Sequence, residues 1–109
     1  MSTQKQQVFD VLKGQQYVVI NTCIGKFGLS DLAQQVYKKK AGVANNDFLV
    51  FESIDRDDPH LVQTVRELGD RANWEESKLK IVAVPDGVKW YIDGTCGLEH
   101  VAEVHRIWD

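Results

Sequence analysis

The chain predicts an α/β fold: a small single domain in the order (β)βαβαββα, with central parallel strands and a hairpin near the C-terminus. Three observations carry this expectation. Tyr17, Val18, Val19 and Ile20 are consecutive apolar residues, the signature of a strand covered on both faces. Two well-capped amphipathic patterns follow, separated by a further strand-like run. Two such βα crossovers in succession place parallel strands side by side through right-handed connections. With 109 residues the chain suffices for one continuous core. Residues 1–6 are polar and read as a frayed end, leaving residues 7–109 as the domain.

In order along the chain, Val8, Phe9, Val11 and Leu12 suggest a short first strand that turns through Lys13 and Gly14 into residues 17–20. Ser30 is the N-cap of the first helix, with Asp31 suited to the dipole of its first turn. Leu32, Ala33, Val36, Tyr37 and Ala41 recur at helical spacing, and Gly42 supplies the stop. Residues 47–54 read as the next strand. Asp58 and Pro59 open a second helix, Asp as N-cap and Pro where a missing N–H costs nothing. Leu61, Val62, Val65 and Leu68 form its apolar face, and Gly69 lies near its end.

Residues 78–84 read as a third central strand, ended by the turn chemistry of Pro85, Asp86 and Gly87. Residues 88–92 then fold back on it as a hairpin, with Trp90 and Ile92 on one face. For the last segment, Leu98, Val101, Ala102, His105 and Trp108 fit a helical period better than strand alternation, so a closing helix is expected.

Composition narrows the function classes. A net charge of −3 makes nucleic acid and anionic lipid unfavoured partners, since phosphate neutralisation needs clustered Lys and Arg. Lys38, Lys39 and Lys40 fall where a helix ends and serve its dipole. No apolar run approaches the roughly 18 residues needed to cross a bilayer, and no secretory signal is visible at the N-terminus. Only Cys23 and Cys96 carry thiols, and His60, His100 and His105 show no zinc spacing, so no metal or cofactor is expected. A cytoplasmic setting with free thiols follows.

Residues 20–30 (I-N-T-C-I-G-K-F-G-L-S), then Arg56, Asp57, Asp58, Pro59, Leu61 and Val62, and the tail from Pro85 to Trp108 resemble a family of small, functionally uncharacterised bacteriophage and bacterial proteins. Its pattern joins I-N-T-C-x-G-x-F-x-L-S to a closing H-R-x-W tail, and the likeness spans about residues 17–108. Lys26 stands where the family usually has a second glycine, Trp74 where glycine is more usual, and Cys96 lies outside the pattern. The resemblance implies a phage-type context and a host cytoplasm. It supplies no catalytic residues.

The residues themselves offer several sites. A loop feeding a helix N-terminus presents unpaired N–H groups, so Gly25, Lys26 and Ser30 can meet an anion. The spacing matches neither a P-loop nor a dinucleotide fingerprint, and a plain strand-to-helix turn also explains it, with a left-handed φ at Gly28. Arg56 could grip a phosphate bidentately from the acidic cluster of Asp55, Asp57 and Asp58, or simply pair with Asp57 or Asp58. In a parallel sheet the two loops leave by the same edge. Arg106 is a third possible anion ligand, and Trp74 and Trp108 are possible interface anchors.

These features support a non-enzymatic accessory protein, homo-oligomeric, that binds a host protein or sequesters a small anionic or nucleotide ligand. The alternative is a small enzyme with Cys23 as nucleophile, activated by His100 or His105, or with Asp55 and Asp57 as metal ligands. Cys23 equally suits packing as a small hydrophobe.

Overall fold

The computed structural model describes residues 15–104. Its elements are β1 (Gln15–Asn21), α1 (Asp31–Ala41), α2 (Pro59–Leu68), β2 (Leu79–Pro85), β3 (Trp90–Asp93) and β4 (His100–Glu103). Short 3₁₀ turns occupy Phe51–Ser53 and Gly69–Ala72. The strands form two separate antiparallel pairs, β1 with β2 and β3 with β4. The expected parallel central strands are therefore absent among the described residues.

β1 is covered on both faces, as its apolar run requires. Tyr17 and Val19 join Leu79 and Ile81 of β2 in packing against the helices, around Leu29, Ala33, Tyr37, Ile54, Leu61, Val62 and Val65. Val18 and Ile20 point the other way, with Val82 and Val84, against Trp90, Ile92 and Val101 of the β3–β4 ribbon. The β1–β2 pair is thus the middle layer between helices and ribbon. Successive residues of β1 serve opposite cores because strand side chains alternate.

Parallel strands fail at residues 47–54. Leu49, Phe51 and Ile54 do reach the helical core, but the backbone turns, with Ser53 N–H and Ile54 N–H donating to Val50 O and Phe51 O. Phe48 points to solvent, 90% exposed. Where residues 47–54 were expected as a strand, the backbone bond to β1 comes just beyond them, from Val19 N–H to Arg56 O, 2.8 Å. With no strand between them, α1 and α2 make one helical excursion, and the chain re-enters the sheet antiparallel as β2.

Two further expectations are corrected. The turn at Pro85 forms, with Val88 N–H donating to Pro85 O at 3.2 Å, yet it carries the chain from one sheet to the other and closes no β2–β3 hairpin. Trp90 Nε1–H donates to Gln16 Oε1 (3.0 Å) and helps hold the layers together. The closing helix is replaced over His100–Glu103 by β4, whose pairing with β3 sets Val101 opposite Ile92. Tertiary pairing overrides the helical period here, which had leaned on His105 and Trp108, outside the described residues. The suggested strand over residues 8–12 also lies outside them.

Both helices start as read. Ser30 Oγ accepts the Ala33 N–H (3.1 Å), and Asp58 accepts the His60 N–H (2.8 Å) ahead of Pro59. Gly42 ends α1 in the left-handed conformation (φ 75°). Among the described residues, no helix is long and apolar enough to cross a membrane.

Candidate functional site

Asn21 closes β1 with no exposed surface. Burying an amide demands partners for each polar atom, and Asn21 finds its partners in three segments. Its Nδ2 donates to Gly25 O (3.0 Å) and Glu76 O (3.4 Å). Its Oδ1 accepts from Cys23 N–H (3.0 Å) and Lys78 N–H (2.9 Å). Its backbone N–H donates to Glu99 Oε1 (2.7 Å), and its carbonyl accepts from Glu99 N–H (2.9 Å). One residue therefore fixes the loop after β1 and the segment before β2 through its side chain, and the segment before β4 through its backbone.

Arg56 meets this junction from the side. Its Nη1 and Nη2 donate to Glu99 Oε1 and Oε2 at 2.6 and 3.0 Å, Nη1 also reaches Val19 O (3.2 Å), and the guanidinium lies 3.9 Å above the Phe27 ring. The pairing expected with Asp57 or Asp58 is not the one adopted. Burial alone would raise the Glu99 carboxyl, but the Arg56 bonds, the Asn21 amide and the Arg56 charge outweigh it and hold the group below its ordinary range.

Residues 94–98 form a strap across the end of β1. Gly25 N–H donates to Cys96 O (2.7 Å), and Leu98 N–H to Cys23 O (3.1 Å). The approach is so close that a Cβ on Gly97 would stand 1.9 Å from Cys23 O. Cys96 and Leu98 take left-handed φ values of 52° and 51° on either side of Gly97, uncommon for residues with side chains.

Loop, turn and strap enclose a cleft of about 370 Å³ lined by Gly25, Lys26, Phe27, Phe51, Glu52, Arg56, Cys96, Gly97 and Glu99. Phe27 and Phe51 meet edge to face, 6.5 Å between centroids. Gly25, Lys26 and Arg56 are thus brought to one cleft, by a route other than the shared edge of a parallel sheet. The unpaired N–H groups expected of the loop are not found: Gly25 N–H donates to Cys96 O and Lys26 N–H to Glu76 Oε1 (3.4 Å). Arg56 is engaged by Glu99, whereas the Lys26 side chain is exposed and has no ion pair among the described residues.

The other expected residues are placed elsewhere or used structurally. Ser30 caps α1, and its hydroxyl donates to Arg71 O (2.7 Å). Trp74 packs edge-on to Phe51 and lies over Gly28, where a Cβ would come within 2.7 Å of its ring. Gly28 is thus explained by close approach rather than by the left-handed φ expected of it. Cys23 is half-buried, and His100, one proposed base, lies 3.3 Å from Asp93. Asp55 O accepts the Asp58 N–H (3.0 Å), while Asp57 lines a separate groove with Tyr17 and Arg66. Among the described residues, no three His, Cys, Asp or Glu side chains are grouped to hold a metal ion. Arg106 and Trp108 lie outside the described residues.

Sequence reasoning missed Asn21, Glu99 and the two phenylalanines. Asn21 carried a faint signal, a polar side chain ending an apolar run. Glu99, which falls at the start of the expected closing helix, carried none pointing to Arg56. No family profile, curated protein or solved structure matches the chain.

Proposed function

We propose that the protein is a non-enzymatic binding module, a small accessory protein of the phage type its sequence resembles, which takes a small anionic ligand in the cleft beside Gly25 and Lys26. The observation that carries this reading is the division of charge in the cleft. Arg56 and Glu99 neutralise each other through two direct bonds, so the exposed Lys26 ammonium, which shares the lining with Phe27, Phe51 and the exposed Glu52, is the cation left for a ligand. An exposed ammonium beside apolar surface suits a phosphate- or carboxylate-bearing molecule with a flat apolar portion, such as a nucleotide. No observation favours the alternative of an enzyme built on Cys23 or on Asp55 and Asp57.

Thermal denaturation in low salt with inorganic phosphate, AMP and ATP tests the reading. A ligand at a hundred times its Kd adds about 2.7 kcal/mol, several degrees of melting temperature for a domain of this size. Stabilisation by at least one anion, lost in Lys26→Ala without a change in the unliganded melt, supports it. No stabilisation, or stabilisation indifferent to Lys26→Ala, contradicts it. Self-association belongs to the same proposal, and light scattering measures it directly.

A further inference from the structure

We infer that the strap of residues 94–98 is a latch on this cleft: Glu99 occupies the Arg56 guanidinium as a ligand carboxylate or phosphate would, and opening of the strap hands Arg56 to the anion. The inference rests on the reading of the cleft as an anion site and adds its regulation.

Little of what closes the strap is apolar burial. Cys96 is exposed and Leu98 is 57% exposed, so neither side chain anchors it in a core. Closure depends on three backbone bonds, from Gly25 to Cys96, Leu98 to Cys23 and Glu99 to Asn21, together with the Arg56–Glu99 pair and the bond from Asn21 N–H to Glu99 Oε1. Against these stand the left-handed backbones of Cys96 and Leu98, a conformation sustained only while its surroundings enforce it. Gly94, with φ 145°, begins the strap where β3 ends and offers a pivot. A segment held by polar bonds alone and strained in its closed form belongs to the low-stability end of the molecule.

The chemistry of exchange is symmetrical. Glu99 presents two oxygens to two guanidinium N–H groups, the geometry in which carboxylates and phosphates bind arginine. A ligand anion held first by Lys26 lies in the same cleft as Arg56 and can replace Glu99 there. The freed Asn21 amide and carbonyl then turn to water or to the ligand. Binding that favours the open strap must in turn populate it.

Amide hydrogen exchange on the unliganded protein, followed residue by residue, tests the latch. Leu98 and Glu99 amides are expected to exchange at least ~10-fold faster than those of Val18 and Ile20, and saturating inorganic phosphate is expected to speed them further. In Glu99→Gln, where Arg56 loses its carboxylate, phosphate is expected to bind ~10-fold tighter. Exchange of Leu98 and Glu99 at the rate of the β1 core, or slowed by phosphate, overturns the latch even if Lys26 binds anions. Both wild-type readouts stand should the variant fail to fold. Unchanged affinity in a folded Glu99→Gln also overturns it. Absence of phosphate binding in both proteins overturns instead the reading of the cleft on which the latch rests.

Discussion

Arg56 and Glu99, 43 residues apart in the chain, close on each other through two side-chain bonds of 2.6 and 3.0 Å and bring together β1, the approach to α2 and the approach to β4. Their side chains are 20% and 12% exposed, so each charge is largely withdrawn from water and depends on the other. Removing one partner of such a pair leaves a buried charge without compensation. Arg56→Ala is therefore expected to cost about 3 kcal/mol in urea denaturation. The double variant Arg56→Ala/Glu99→Ala should cost less than the sum of the single changes, a non-additivity that a double-mutant cycle reads directly.

The same pair sets an acid limit. Glu99 is held below its ordinary value of 4.5 in the folded protein, so the unfolded chain takes up its proton first as pH falls. Its contribution is complete above about pH 4.5 and is lost as pH drops through the lower folded value. Stability measured against pH should fall on the acid side in wild type, and this component should be missing in Glu99→Gln.

Tyr37 predicts the alkaline side. Its hydroxyl donates to Asp58 Oδ2 at 2.7 Å, and burial, that bond and the charges of Asp58 and Asp55 push its pKa from 10.0 to about 12. The stability it contributes is complete below pH 10 and is lost as pH rises to about 12. Tyr37→Phe should cost about 1 kcal/mol at neutral pH and flatten the alkaline loss, both visible in denaturation curves across that range.

Two glycines with nearly the same φ should respond differently. Gly87 (φ 85°) has open space where a Cβ would go, so Gly87→Ala pays only for the backbone, about 1 kcal/mol. Gly97 (φ 86°) would drive its Cβ into the Cys23 carbonyl. Gly97→Ala should therefore lose several times as much stability, or fail to fold, while Gly87→Ala folds normally.

At Gly28 the neighbour is a side chain, the ring of Trp74. Gly28→Ala should cost about 2 kcal/mol by overpacking, and much less in a Trp74→Leu background. Equal costs in both backgrounds, measured by chemical denaturation, would show that the ring is not what restricts the position.

Local signals in the sequence were sound where they depended on neighbours. Ser30, Asp58, Pro59 and Gly42 cap their helices as their chemistry dictates, because a cap is made within four residues. The apolar run of β1 correctly implied cover on both faces. Strand direction was not legible. It turned on residues 47–54, whose apolar side chains suit a strand as well as the turn that buries Ile54 and packs Leu49 and Phe51 against the helical core. β4 was illegible for a related reason: its partner β3 decides its conformation, and its own spacing favours a helix. In the cleft, Gly25, Lys26 and Arg56 could be named from the chain. The engagement of Arg56 by Glu99 could not, because Asp55, Asp57 and Asp58 flank it in sequence and folding pairs it with none of them.

Binding of a small anion by Lys26 and its loop is best read from amide chemical shifts of isotope-labelled protein during titration with ATP in low salt. Saturable shifts are expected on residues 25–27, Phe51 and residues 96–99, with none of comparable size on α2, and their loss in Lys26→Ala. Shifts scattered over the basic end of α1, or no shifts at millimolar ATP, would contradict it.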